Sequence, residues 1–325
     1  MTRTLVRQHP SRLASPPAPA DACTRARDWS EIQERMLVPL YEAVYERLEV
    51  GPTTRLLGLG CGSGLALLMA ANRGASVAGV EHDEHRLDLA RERLVSPPPS
   101  AEGAKGARGA SKDAARLLAD GPDDPGDGPD GLGTAFDLVT VFDPLGCPAS
   151  GPDELPDSLA LAVRLVKRGS PIVLADWGPP ERCSTASVLR GVARLPEPLR
   201  HSATASTIAT SSHASDASDP SEDSAGDEPA PPGGWQPSRR DHLEDLALRA
   251  GLRPDGSGRV ACPFGYADMG SAVRGLLSTG LFDIAVEATD QEQVEKELEE
   301  ALHPHLREDG TVWMANIFRY LIARA

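Results

Sequence analysis

The chain of 325 residues reads as an α/β protein: a doubly wound, mostly parallel sheet of seven strands with helices on both faces. Three observations predict this. Short apolar runs of strand length alternate with stretches whose apolar residues recur at helical spacing, the signature of βαβ units on a parallel sheet. A glycine-rich turn, Gly60 to Gly64, stands between the first such run and the first helix of the alternation. Apolar residues make up 40% and charged residues 25% of the chain, a globular balance with ample material for a large core.

Taken in order, residues 1–27 include Pro16-Pro17-Ala18-Pro19 and are expected as a disordered tail, with one domain over residues 28–325. Residues 55–60 (RLLGLG) read as a buried strand, and 63–72 as a helix ended by Gly74. Residues 76–81 (SVAGVE) form the next strand, and Asp83 caps a helix running through Leu94, with Leu87, Ala90 and Leu94 on one face. Residues 116–120 (RLLAD) make a weak strand, 136–142 (FDLVTVF) a strong one, 155–167 an amphipathic helix and 171–177 (PIVLADW) a fifth strand. Ser238 is expected to cap a helix ending before Gly251. Two late strands, 259–266 and 311–321, enclose a short helix over 271–278 and an acidic one over 290–303. Segments 97–113, 121–134 and 197–237 are rich in Pro, Gly, Ser, Ala and Asp; too poor in apolar surface to offset their chain entropy, they are expected as disordered loop insertions.

Charge and cysteine usage narrow the function. Lys and Arg number 33 against 48 Asp and Glu, a net charge of −15. That is the opposite of the basic footprint of nucleic-acid binding, and it disfavours anionic membranes as well. No apolar run reaches the roughly 18–20 residues of a bilayer span, and the basic N-terminus lacks the apolar core of a secretory signal. The five cysteines (23, 61, 147, 183 and 262) are odd in number and show no metal-ligand spacing, so no metal is expected and a cytoplasmic location is.

The chemistry points to Leu56-Leu57-Gly58-Leu59-Gly60-Cys61-Gly62-Ser63-Gly64. Glycines let a backbone turn tightly and approach a ligand, and the N-terminus of the following helix offers free N–H groups. Glu81, ending the next strand, is the acid expected to accept from a ribose diol. The spacing is Gly60-x-Gly62-x-Gly64, with Leu65 at the third position of the dinucleotide fingerprint, which argues against a nicotinamide cofactor. Cys61 and Cys262 read as small packing residues.

With these residues the chain resembles the class I S-adenosylmethionine-dependent methyltransferases, which share a Rossmann-like fold. LLGLGCGSG matches their first motif and VAGVEHD their second; RLLAD, AFDLVTVFDPL and GSPIVLADWG match the next three regions. The stretch 29–48 is similar to the helix that precedes the sheet and lids the cofactor in many members, and the late strands to the C-terminal hairpin whose last strand inserts antiparallel. The resemblance implies S-adenosyl-L-methionine as cofactor: Gly60, Cys61, Gly62 and Gly64 around its methionine part, Glu81 on the ribose, Asp120 at the adenine amino group, and His82 beside the ring. Asp143 would lie near the methyl group and is one candidate base; His242 is another. The family usually carries an acid two positions before the first glycine, and here that position is Gly58. The implied activity is methyl transfer to an O, N or C atom of a small molecule. The alternative is a catalytically silent binding or regulatory protein on the same fold. Oligomeric state is left open.

Overall fold

The computed structural model describes residues 22–95, 116–118, 136–142, 159, 163–192 and 241–325. Seven strands form one mixed sheet: β1 (Arg55–Leu59), β2 (Ser76–Val80), β3 (Arg116–Leu118), β4 (Leu138–Val141), β5 (Pro171–Trp177), β6 (Arg253–Ala261) and β9 (Ile317–Arg324). Their spatial order is β3-β2-β1-β4-β5-β9-β6. β1 to β5 pair in parallel, and β9 runs antiparallel to both β5 and β6. The order reverses between β1 and β4, which opens a crevice at their carboxyl ends.

The pleat sorts the strand residues into two cores. Leu56, Leu138, Val173 and Ile322 face one side, where α2 (Val38–Arg47) packs through Leu40, Val44 and Tyr45. Leu57, Leu59, Val139, Val141, Ile172 and Leu174 face the other. Burial on both faces is why β1 and β4 read as continuous apolar runs rather than alternating ones. β6 is one edge of the sheet: it is largely exposed, carries Pro254, and slips register between Pro254 and Gly256, features that discourage pairing with another chain.

Helix ends follow the sequence closely in places. Asp83 Oδ1 accepts from His85 N (2.9 Å) and Arg86 N (3.1 Å) to start α4 (Glu84–Val95). Gly74, with φ 93°, ends α3 (Leu65–Asn72). Asp290 Oδ1 accepts from Gln293 N (2.8 Å) at the start of α9 (Gln291–Leu302), which packs against α5 (Thr185–Val192).

Elsewhere the structure corrects the sequence reading. Helix α1 (Ala22–Asp28) lies where a disordered tail was expected. The expected helix over 29–48 is broken: Trp29–Gln33 is a π turn, Glu34–Leu37 a 3₁₀ turn, and only α2 is regular. Each late strand is two. β7 (Phe264–Tyr266) and β8 (Val312–Met314) pair as a separate two-stranded sheet. The break falls at Cys262 and Pro263, because proline has no N–H to continue the ladder. Cys262 therefore sits between strands, its N–H donating to Asn316 O (2.9 Å). Helix α6 begins at His242 (His242–Arg249), with Asp241 at its N-cap position; Ser238 lies outside the described residues. Helices α7 (Met269–Leu277) and α8 (Asp283–Ala288) complete the chain, α8 being unforeseen. Of the helix expected over 155–167, residues 159 and 163–165 are described as helical, and Val166 instead bridges Phe136. Segments 97–113, 121–134 and 197–237 lie outside the described residues.

Candidate functional site

The site is built at the carboxyl end of β1, where the chain turns three times through left-handed backbone. Gly60, Gly62 and Gly64 have φ of 61°, 57° and 81°, a region that an L side chain disfavours by about 1–2 kcal/mol. Cys61 N donates to Val80 O (3.0 Å), which pins the turn to the end of β2. Glu81, the next residue, is buried and closes the connection: Oε2 accepts from Gly62 N (2.7 Å) and Oε1 from Asp83 N (3.1 Å). Gly60, Cys61, Gly62 and Glu81 thus line one cleft, with Thr140 and Phe142 from the end of β4 across it. Gly64 stands behind it, where a Cβ would come within 2.9 Å of Ala90 Cβ and push α3 off α4.

The segment over the cleft belongs to the stretch expected to lid it, but the roles of Glu34 and Arg93 were not foreseen from the sequence. Glu34 descends from the 3₁₀ turn and is 1% exposed. Its Oε1 accepts from Ser63 N (3.1 Å) and Leu65 N (3.4 Å), and its Oε2 accepts from the Ser63 hydroxyl and from Arg93 Nη1 (2.7 Å). A carboxylate placed there satisfies orphan N–H groups at the start of α3. Arg93 also donates to Ser63 O (2.8 Å) and Ser30 Oγ (2.7 Å), so one guanidinium ties the N-terminal segment to α4 and the glycine turn. Burial pushes the Glu34 carboxyl above its ordinary range, against the pull of Arg93. Trp29 lies beside Glu34, with Arg86 stacked 4.4 Å from its ring centroid. A single glutamate within a helix-like stretch carries no local signal of this role; only the folded contact reveals it.

Gly58 now has a physical account. A Cβ there would lie 3.0 Å from Leu67 Cδ2, and its strand partner Gly79 faces the same side chain, at 2.6 Å from Leu67 Cδ1. Leu67, 1% exposed, fills the space above this glycine pair. The carboxylate at the turn comes from Glu34, on another element.

The remaining candidates are placed as follows. His82 is exposed beside Glu81. Asp120 and Asp143 lie outside the described residues. His242 does not line the glycine cleft. Its Nε2 is 3.9 Å from Asp176 Oδ2, in a second cavity of about 960 Å³ that also involves Trp177, Arg182, Arg259 and Arg319. Trp177 borders that cavity but is buried, with its ring 4.6 Å from Phe318. Burial pushes the Cys61 thiol well up, with Glu81 and Glu34 adding to the effect, and pushes Cys262 up to about 12; neither is a ready thiolate. Among the described residues, no group of three or more His, Cys, Asp or Glu side chains is arranged to hold a metal, and no helix is long and apolar enough to cross a membrane.

The groups with which this cleft could meet an adenosyl cofactor are a buried acid at the end of β2, close backbone approach at Gly62, and the Trp29 indole N–H, buried without a hydrogen-bond partner among the described residues. The cleft's open volume is about 20 Å³, room for roughly one water, with Trp29 and Glu34 among the residues that line it. Strand order, the single reversed strand β9 and the glycine turn at the switch point together are the class I methyltransferase fold.

No family model matches the chain, and no curated protein does. Among solved structures it is similar to the cyclopropane synthase MmaA2 of Mycobacterium tuberculosis, at 13% identity and TM-score 0.45, over 94% of each chain. It is similar to the mycolic acid cyclopropane synthase CmaA1 complexed with SAH and CTAB, at 14% identity and TM-score 0.42, over 90% of this chain and 83% of that one. It is also similar to the [4+2]-cyclase SpnF, at 16% identity and TM-score 0.44, over 88% and 79%. At these TM-scores the likenesses carry no functional weight.

Proposed function

We propose that the protein is an S-adenosylmethionine-dependent methyltransferase acting on a small molecule. The observation that supports this best is the Glu81–Gly62 contact of 2.7 Å at the switch point of the sheet, which brings a buried acid and a left-handed glycine turn to one cleft. In this reading Glu81 holds the ribose hydroxyls, and the backbone of Gly60, Cys61, Gly62 and Gly64 wraps the methionine part. His82 and Asp120 are assigned to the adenine end. The bound cofactor supplies a sulfonium whose methyl group is already activated. The chain's task is then to hold an acceptor in line with that methyl, a positioning effect that can contribute up to about 7–11 kcal/mol. Asp143 is assigned to the acceptor side, as a base only where the acceptor must lose a proton.

A second reading, a silent binding protein on this fold, draws on two observations: Leu67 filling the space at Gly58, and the small open volume of the cleft. Calorimetric titration with S-adenosylhomocysteine, repeated with NADH and with Glu81→Ala, tests the cofactor. Micromolar binding of S-adenosylhomocysteine alone is expected, weakened about 100-fold in the variant by loss of two charged hydrogen bonds. A screen of methyl acceptors then separates enzyme from silent binder. Binding of NADH, or of neither ligand, overturns the cofactor assignment.

A further inference from the structure

Resting on that reading, we infer that Trp29 is the residue by which the N-terminal segment recognises the amino-acid end of the cofactor, through a hydrogen bond from its indole N–H to the ligand's carboxylate. Trp29 is 4% exposed, and its Nε1 has no hydrogen-bond partner among the described residues. A buried donor left unmet costs about 1–3 kcal/mol, so a fold retains one where something else supplies the acceptor.

Its aim is defined. A Cβ on Gly62 would sit 3.1 Å from Trp29 Nε1, which places the indole nitrogen beside the turn assigned to the methionine part of the cofactor. The ring is also held. Arg86 stacks on it at 4.4 Å, and Arg86 is itself anchored by Nη2 donating to Ser278 O (2.9 Å). The neighbouring Ser30 hydroxyl accepts from Arg93 Nη2 (2.7 Å), and Glu34 is fastened to Ser63 four residues on from Ser30. The backbone that follows the ring is thereby tied to the glycine turn.

Charge selects an anionic acceptor. Arg86 Nε is a second buried donor without a hydrogen-bond partner among the described residues, its nearest ion-pair contact being Asp83 Oδ2 at 3.7 Å. Two carboxylates, Glu34 and Glu81, already line the cleft and are engaged by backbone N–H groups. An incoming carboxylate therefore needs the indole N–H and the guanidinium on the Trp29 side.

The test compares two ligands in the full chain: S-adenosylhomocysteine, which carries the carboxylate, and 5′-methylthioadenosine, which lacks the amino-acid part. Trp29→Phe keeps an aromatic ring under Arg86 and removes the N–H. The expected result is about tenfold weaker binding of S-adenosylhomocysteine, with 5′-methylthioadenosine unchanged and the melting temperature within a few degrees of wild type. Trp29→His, which keeps a ring N–H, should recover part of the loss and guards against a Phe variant that packs badly. Equal weakening of both ligands, or no change in their ratio as when the N–H meets only a water, overturns the inference and leaves the cofactor reading intact. Failure of the wild-type chain to bind S-adenosylhomocysteine overturns both.

Discussion

Two of the cavities along the carboxyl side of the sheet differ in opposite ways. The glycine cleft at β1 and β4 has about 20 Å³ of open volume, yet it gathers a left-handed turn, two buried carboxylates and two unmet donors. The cavity beside β5, β6 and β9 has about 960 Å³ and is lined by exposed or paired groups such as His242, Asp176 and Arg319. Volume alone would select the second. Donors, acceptors and backbone geometry select the first, because binding energy comes from desolvated, pre-aimed groups rather than from space. The small cleft is small because Trp29 and Glu34 reach into it, and both belong to the irregular segment that precedes the sheet.

The comparison can be broken at its strongest point first. Glu34→Ala removes the partner of a guanidinium whose side chain is 22% exposed and strips the acceptor from two amides of the α3 start. A loss of about 3 kcal/mol is expected, in the range for breaking a buried ion pair, read as a lower urea midpoint with unchanged slope. A loss below about 1 kcal/mol would mean that the segment is not fastened to the turn. Gly62→Ala comes next: φ of 57° and a Cβ 2.8 Å from Glu34 Oε1 together predict a loss of about 2 kcal/mol, accompanied by weaker S-adenosylhomocysteine binding. The smallest effect is the sharpening one. His242→Ala alters only the larger cavity, so its affinity for S-adenosylhomocysteine should stay within about twofold of wild type, on the rule that distant sites act independently. A larger change would join the two cavities into one working site.

Much of the fold was legible because each signal is local. The glycine turn and Glu81 lie within a few dozen residues of each other, and a strand–turn–helix–strand unit places them together by its own connectivity. The cap Asp83 is read from one residue and the helix that follows it. The failures were contacts across the chain. Glu34 meets Ser63 and Arg93 across separations of 29 and 59 residues, and nothing in its neighbourhood distinguishes it from Glu42 or Glu46 on the same stretch. The break of each late strand at Cys262–Pro263 and Ala315–Asn316 was also missed, because apolar content continues through it; proline's missing N–H is the only local clue.

The sequence by itself determined the five parallel strands of the sheet, the left-handed turn at Gly60, Gly62 and Gly64, and the acid that meets it, since alternation, glycine conformational freedom and strand ends are properties of short segments. Only the tertiary structure decided what covers that turn. Leu67 fills the space over Gly58 and Gly79, Glu34 brings its carboxylate to α3 from a separate element, and Trp29 turns an unmet N–H toward Gly62. These outcomes depend on close packing between distant segments, where a side chain's role is set by the partners that folding brings to it.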